Sequence, residues 1–226
     1  MTKRLSLILL VLTSLVFSAS SQNKAFQFGF KVAPNIGWMK PDAQDYSRNG
    51  IDAGFSWGFQ AEFFLMENYA FNTGFDVVYL NGSLDYPYKS GSKVGVMSRS
   101  IKSKYIELPL ILKMKTNDFG KFRFYGQVGF GLGFLLDAEA EDRFFSQGVL
   151  DEKKTLEIRK QLRFTRESLI LGAGAEYSLG GSTFLFAGIK FDNGFIDILK
   201  DQNTVNSSIE NKAISNYLEI QIGLMF

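Results

Sequence analysis

The chain has 226 residues, a formal charge of +2, and neither histidine nor cysteine. Disulfides, thiolate metal sites and the serine–histidine or cysteine–histidine nucleophile systems are therefore excluded. The near-balance of charge, with no basic block, argues against nucleic acid, while 23 Phe, 22 Gly and 9 Tyr against 4 Pro suit strands and aromatic belts.

The chain opens with Lys3 and Arg4, an apolar run from Leu5 to Phe17, and then Ser18, Ala19, Ser20, Ser21 and Gln22. This is the three-part pattern of a secretory signal peptide, its core too short and wrongly flanked for a retained membrane helix. Residues 1–21 are expected to be removed near 20–22, which takes away Lys3 and Arg4 and leaves a neutral domain at 22–226. No later stretch reaches the roughly 18 apolar residues of a membrane helix, so any crossing must use strands.

Eight alternating segments follow, because side chains of a strand point to opposite faces with period two. The first, 25–37, sets Phe26, Phe28, Phe30 and Val32 against Gln27, Gly29 and Lys31. The second, 54–65, sets Phe55, Trp57, Phe59 and Phe63 against Ser56, Gly58, Gln60 and Glu62, and three residues separate it from the third, 69–84, where Phe71, Phe75, Val77 and Tyr79 oppose Asn72, Gly74 and Asp76. Such a short gap reads as a hairpin.

The fourth, 101–115, places Ile106, Leu108, Leu110, Leu112 and Met114 opposite Tyr105, Glu107, Pro109, Ile111 and Lys113. Pro109 cannot donate to a ladder and marks an edge or bulge. The fifth, 121–137, carries Phe122, Phe124, Val128, Phe130, Leu132, Phe134 and Leu136 against Arg123, Tyr125, Gln127, Gly129, Gly131 and Gly133. The sixth, 165–179, opposes Leu169, Leu171, Ala173, Ala175 and Tyr177 to Ser168, Gly172, Gly174 and Glu176; the seventh, 183–198, opposes Leu185, Ala187, Ile189 and Phe191 to Gly188, Lys190 and Asp192. The eighth, 217–226, puts Leu218, Ile220, Ile222, Leu224 and Phe226 on one face and stops on an aromatic, as a closing barrel strand does.

Gap lengths alternate: long at 38–53, 85–100, 138–164 and 199–215, short at 66–68, 116–120 and 180–182. The expectation is an all-β fold, an eight-stranded antiparallel up-and-down transmembrane β-barrel with short periplasmic turns, longer extracellular loops and both termini periplasmic. Within the longest gap, 152–162 forms either a short helix or an outward extension of the flanking strands. A soluble lipocalin-like barrel would put its polar face outside; the glycines crowding the polar face favour polar-inside, because eight strands leave little internal room.

On that reading a lumen charge network is expected from Lys31, Glu62, Asp76, Glu107, Lys113, Arg123, Glu176, Lys190, Asp192 and Glu219, joined by the hydroxyls of Tyr105 and Tyr125. Isolated buried charge is costly, so these groups must pair, and paired charges fill a narrow lumen. No catalytic, cofactor or metal residue is expected: 137–142 and 197–203 lack calcium-loop spacing. Tyr217, Leu224 and Phe226 form an expected barrel-insertion signal for the outer-membrane assembly machinery, the other partners being outer-membrane lipid and lipopolysaccharide.

The run Tyr105 Ile106 Glu107 Leu108 Pro109 Leu110 Ile111 Leu112 Lys113 resembles the signature of PorT-type outer-membrane β-barrels of Bacteroidetes, as do Phe28 to Lys31, Tyr125 to Gly133, Gly172 to Tyr177 and Phe191 to Ile198. The resemblance covers the whole mature chain. It implies an outer-membrane barrel of a family named for a protein needed by the type IX protein secretion system, and secretion-system proteins as partners; with histidine and cysteine lacking, the expected function is a non-enzymatic barrel with a side-chain-filled lumen and a structural or assembly role. The alternative is a small transporter or ligand-binding barrel for ions or lipidic molecules.

Overall fold

The computed structural model describes residues 25–43, 45–200, 205 and 212–226. The expected signal segment at 1–21 lies outside them, as do residues 22–24 of the expected domain and most of the last long gap. The strands are β1 (Phe26–Pro41), β2 (Ser47–Arg48), β3 (Asp52–Met66), β4 (Tyr69–Ser90), β5 (Lys93–Lys115), β6 (Phe122–Ser146), β7 (Val149–Glu157), β8 (Thr165–Gly180), β9 (Thr183–Gly194) and β10 (Ala213–Met225).

Eight of them close a ring in the order β1, β3, β4, β5, β6, β8, β9, β10, every neighbour antiparallel. Closure joins β1 to β10 from Gly29 opposite Met225 to Pro41 opposite Ala213, and the Phe226 N–H donates to the Phe28 carbonyl at 2.7 Å. A closed ring leaves no free edge within the barrel wall. The outer face is apolar all the way round: Phe30, Trp57, Phe75, Leu108, Phe130, Leu171, Ile189 and Ile220 are all exposed. An apolar girdle of this extent is a lipid-facing surface.

The short turns fall where the alternation places them, at 67–68 between β3 and β4, at 116–121 between β5 and β6, and at Gly181 and Ser182 between β8 and β9. The opposite end departs from expectation. The gap at 85–100 is no loop: β4 and β5 run on as a paired ribbon to a two-residue turn at Gly91 and Ser92. The gap at 138–164 likewise resolves into an outward extension of β6 paired with β7, across a turn in which Gln147 and Gly148 both have positive φ, the type I′ requirement. A membrane strand needs about 9–11 residues, whereas β6 has 25. Beyond the bilayer a strand needs no apolar outer row, so the alternation fades while the pairing continues. β9, in contrast, stops at Gly194, short of the expected 198.

Two irregularities have local causes. Pro109 pairs with Gly131 of β6, but the ladder between β4 and β5 passes from Asn72 opposite Ile111 to Asp76 opposite Glu107, leaving Pro109 unpaired opposite Gly74. Proline has no N–H to give there. In β6, Tyr105 opposes Leu135 and Lys104 opposes Asp137, so Leu136 is an extra residue, a β-bulge. Leu135 and Ala138 are buried while Leu136 and Asp137 are exposed, so the inward row changes from odd to even numbers.

The interior is layered. Towards the short turns it is polar. Towards the long hairpins it is an apolar core built on Leu80, Leu84, Met97, Ile101, Leu135 and Phe144, closed over by Ile158, Leu162 and Leu199. The expected polar-inside arrangement holds for the half nearer the short turns; above Asp76 the inward row of β4 becomes Val78 and Leu80, and the row of β6 becomes Ala138 and Ala140.

Candidate functional site

Strand parity delivers eleven charged side chains to the polar half of the lumen, and they divide into two groups. Nearer the short turns, Glu62 (β3), Lys113 and Lys115 (β5) and Glu176 (β8) form a four-membered ring. Lys113 Nζ lies 2.6 Å from both Glu62 Oε1 and Glu176 Oε1; Lys115 Nζ lies 2.5 Å from Glu62 Oε2 and 2.9 Å from Glu176 Oε1. The ring carries two charges of each sign. Aromatic faces enclose it, with Lys113 Nζ 4.1 Å from the Tyr125 ring centre and Lys115 Nζ 5.0 Å from that of Phe64. Tyr125 fits because Gly174 and Gly188 are glycines; a Cβ at either would collide with its hydroxyl.

The second group lies deeper. Lys31 (β1) contacts Asp76 Oδ2 (β4) and Glu219 Oε1 (β10), each at 2.7 Å. Ser56 donates to Glu219 Oε2 and Gln221 Nε2 to Glu219 Oε1, both at 2.6 Å. Lys190 (β9) stands 3.2 Å from Glu219, 3.4 Å from Glu107 and 3.5 Å from Asp76. The Tyr217 hydroxyl accepts from Lys190 and donates to Glu107 Oε1, 3.0 Å each. Arg166 (β8) donates to Asp192 Oδ1 at 2.6 Å, Glu107 Oε2 at 3.3 Å and the Ser215 hydroxyl at 2.9 Å, and Ser168 completes Asp192 at 3.0 Å. Every one of these charged groups is buried. Desolvation of so many charges is tolerable only with this density of hydrogen bonds.

Nine of the ten residues expected in the lumen network are in these two groups. Arg123 is not: it sits at the short-turn mouth, partly exposed, with its Nε 2.8 Å from Asp118 of the adjoining turn. The turn brings the strand end to the rim, so parity placed Arg123 on the inner row but not in the interior. Lys115 and Arg166 were missed although both continue inward rows, two residues beyond Lys113 and two before Ser168. The Tyr105 hydroxyl finds no partner and belongs to the apolar core; Tyr217 supplies the bridging hydroxyl instead. Of the expected insertion signal, Tyr217 is therefore inside the barrel, while Leu224 and Phe226 lie on the outer face.

At the long-hairpin end, β4, β5, β6 and β7 form a projecting sheet. Arg99 grips Asp142 through two 2.6 Å hydrogen bonds and reaches Gln161 at 3.1 Å, so one guanidinium ties the sheet to the 3₁₀ turn Arg159–Gln161 that roofs the apolar core. Lys93 and Asp151 join the two hairpin tips at 2.6 Å. Tyr86 stacks on Tyr46 with ring centres 5.2 Å apart, and burial raises its phenol above the ordinary range even though Arg99 is nearby. Glu141 is held below the usual carboxylate range by hydrogen bonds from Arg143 and Lys153.

Among the described residues no cluster of three or more side chains suits a metal ion. A concavity of about 580 Å³ forms a vestibule at the short-turn mouth, bordered by Gln27, Phe64, Glu67, Arg123 and Phe184.

A family model and the fold of one solved outer membrane protein agree with this architecture. Residues 18–200 match the family model of the outer membrane protein beta-barrel domain. Among solved structures, the outer membrane protein OprG from Pseudomonas aeruginosa is similar over 90% of this chain and 96% of its own, at 14% identity and a TM-score of 0.50. Neisserial surface protein A covers 91% and 98% at 13% identity and a TM-score of 0.48, and the attachment invasion locus protein Ail of Yersinia pestis 88% and 98% at 10% identity and 0.40. No curated protein matches the chain significantly. The barrel resides in the outer membrane, and the chain belongs to the outer membrane protein beta-barrel domain family.

Proposed function

We propose that this protein is a non-enzymatic outer-membrane scaffold with a structural or assembly role, its lumen sealed by side chains and its projecting sheet presented to a protein partner. The observation that carries the reading is the filling of the lumen at successive heights: the Glu62–Lys113–Lys115–Glu176 ring, the deeper network around Lys190, and the apolar core beneath Leu162 and Leu199. Short turns of such barrels face the periplasm, so the β4–β7 sheet faces outward. The absence of histidine and cysteine from the sequence supports the non-enzymatic assignment. The PorT-type resemblance extends the proposal to secretion-system proteins of the type IX pathway as partners.

The test has three arms. The purified barrel in planar bilayers is expected to show no reproducible conductance, and co-purification from native outer membrane is expected to recover a partner that is lost when the β6–β7 tip is shortened. Deletion should impair type IX cargo export while small-solute permeability stays unchanged. One observation favours a second reading, a small transporter for ions or lipidic molecules: the interrupted ladder at Pro109 leaves a weak seam in the wall. Channels that close when Gly131 is replaced by a large side chain would establish that reading instead.

A further inference from the structure

The deeper lumen network contains four carboxylates, Asp76, Glu107, Asp192 and Glu219, against three cations, Lys31, Lys190 and Arg166. The ring below it is balanced, two against two, and no ion pair joins the two groups among the described residues. One negative charge is therefore uncompensated in a buried site. A protein does not keep such a charge in a low-dielectric interior; the group neutralises instead.

The hydrogen bonds identify which carboxylate does so. Glu219 accepts on both oxygens, from Lys31 and Gln221 on one and Ser56 on the other. Asp192 accepts on both, from Arg166 and Ser168. Glu107 accepts from Tyr217 and Lys190 on one oxygen and from Arg166 on the other. Asp76 alone is half-satisfied: Oδ2 meets Lys31 and Lys190, while Oδ1 is buried without a partner. Oδ1 lies in the space that a side chain at Gly58 of β3 would occupy, directly across the ladder. An anionic oxygen without donors is the least stabilised of the eight, and a proton placed there removes both the excess charge and the unmet acceptor.

We infer that Asp76 is a buried proton-binding site, occupied at neutral pH, whose proton balances the lumen network. The groups facing it come from every wall that packs on it: Lys31 of β1, Gly58 of β3, Glu107 of β5, Lys190 of β9, and Glu219 of β10. Arg166 lies one contact further away, through Glu107, and Asp192 one beyond that, through Arg166. The apolar core above and the closed Lys–Glu ring below separate the site from solvent at both ends.

The experiment uses the full barrel, refolded in micelles with isotope-labelled aspartate, and reads aspartate side-chain carboxyl resonances against pH. One aspartate is expected to remain protonated at neutral pH while the exposed ones ionise in the ordinary range, and its signal should vanish in Asp76→Asn. Infrared spectra of the wild type should likewise contain one un-ionised carboxyl band. Glu219→Gln, which balances the network at three against three, should abolish that band with Asp76 still in place. A wild type with every aspartate ionised at neutral pH overturns the assignment, whether or not sodium or potassium affects the spectra. So does a protonated aspartate that persists in Asp76→Asn.

Discussion

Arg166 Nη2 lies 2.6 Å from Asp192 Oδ1, both side chains buried, and the same guanidinium holds Glu107 and Ser215. Three strands, β5, β8 and β10, are thereby tied to β9 through one planar fork. Arg166→Met removes the fork while leaving two buried carboxylates, which costs about 3–5 kcal/mol by the usual penalty for orphaning a buried charge. Arg166→Lys keeps the charge but not the geometry and should lose less. Urea unfolding of the refolded barrel, with m-values compared, measures both; equal stability of Arg166→Met and wild type would refute the keystone role.

Tyr125 occupies the space that Gly174 and Gly188 leave open, its ring face against Lys113. Gly188→Ala should destabilise the barrel by about 1–3 kcal/mol, the range for overpacking a filled interior. Tyr125→Phe removes the hydroxyl that the new methyl would strike, so the double variant should be more stable than the sum of the two losses predicts. Strict additivity would place the strain on the backbone neighbours of that methyl, the Ala173 carbonyl and the Gly174 Cα, instead.

What the sequence made legible, and what it hid, has a common cause. Period-two alternation reports which face a residue takes, so the eight barrel strands, the lipid-facing row and nine of the network residues could be read directly. It does not report height. Arg123 shares its row with Tyr125 but ends at the rim beside Asp118. Val78 and Leu80 share a row with Asp76 but belong to the apolar core. Outside the bilayer both faces of a strand can be polar, and the alternation that marked strands vanished over 85–100 and 138–157, although the backbone pairing is continuous there. Arg166 and Lys115 lay at segment ends, where inward parity was legible and a solvated boundary charge looked just as natural.

The bulge at Leu136 makes a sharper test of the parity argument. Leu135 and Ala138 both face inward with two exposed residues between them, so deleting Leu136 restores simple alternation without turning any later side chain to the other face. The deletion should therefore fold and migrate as a heat-modifiable barrel. Deleting Val128, in a regular stretch, shifts the rest of β6 by one residue against both neighbours and should abolish folding. If the two deletions behave alike, register is not what β6 enforces.

The Arg99–Asp142 pair anchors the roof independently of the barrel wall. Its two hydrogen bonds are part-buried and charge-assisted, and Arg99 also holds Gln161 at the 3₁₀ turn. Asp142→Asn keeps the shape but leaves a single neutral acceptor, so one bond weakens and the other, now donor against donor, is lost; about 1.5–3 kcal/mol of local stability should go with them, the range for hydrogen bonds to charged groups. The loss concerns the projecting sheet and the segment carrying Leu162, because the wall strands β1, β3, β8, β9 and β10 make no contact with Asp142 through this pair. Limited proteolysis of intact outer membranes should then cut the variant near Arg159, Lys160 and Arg163 faster than wild type, while the heat-modifiable barrel fragment survives. Cleavage that proceeds at the wild-type rate would mean that the apolar contacts of Ile158 and Leu162, not the ion pair, hold the roof closed.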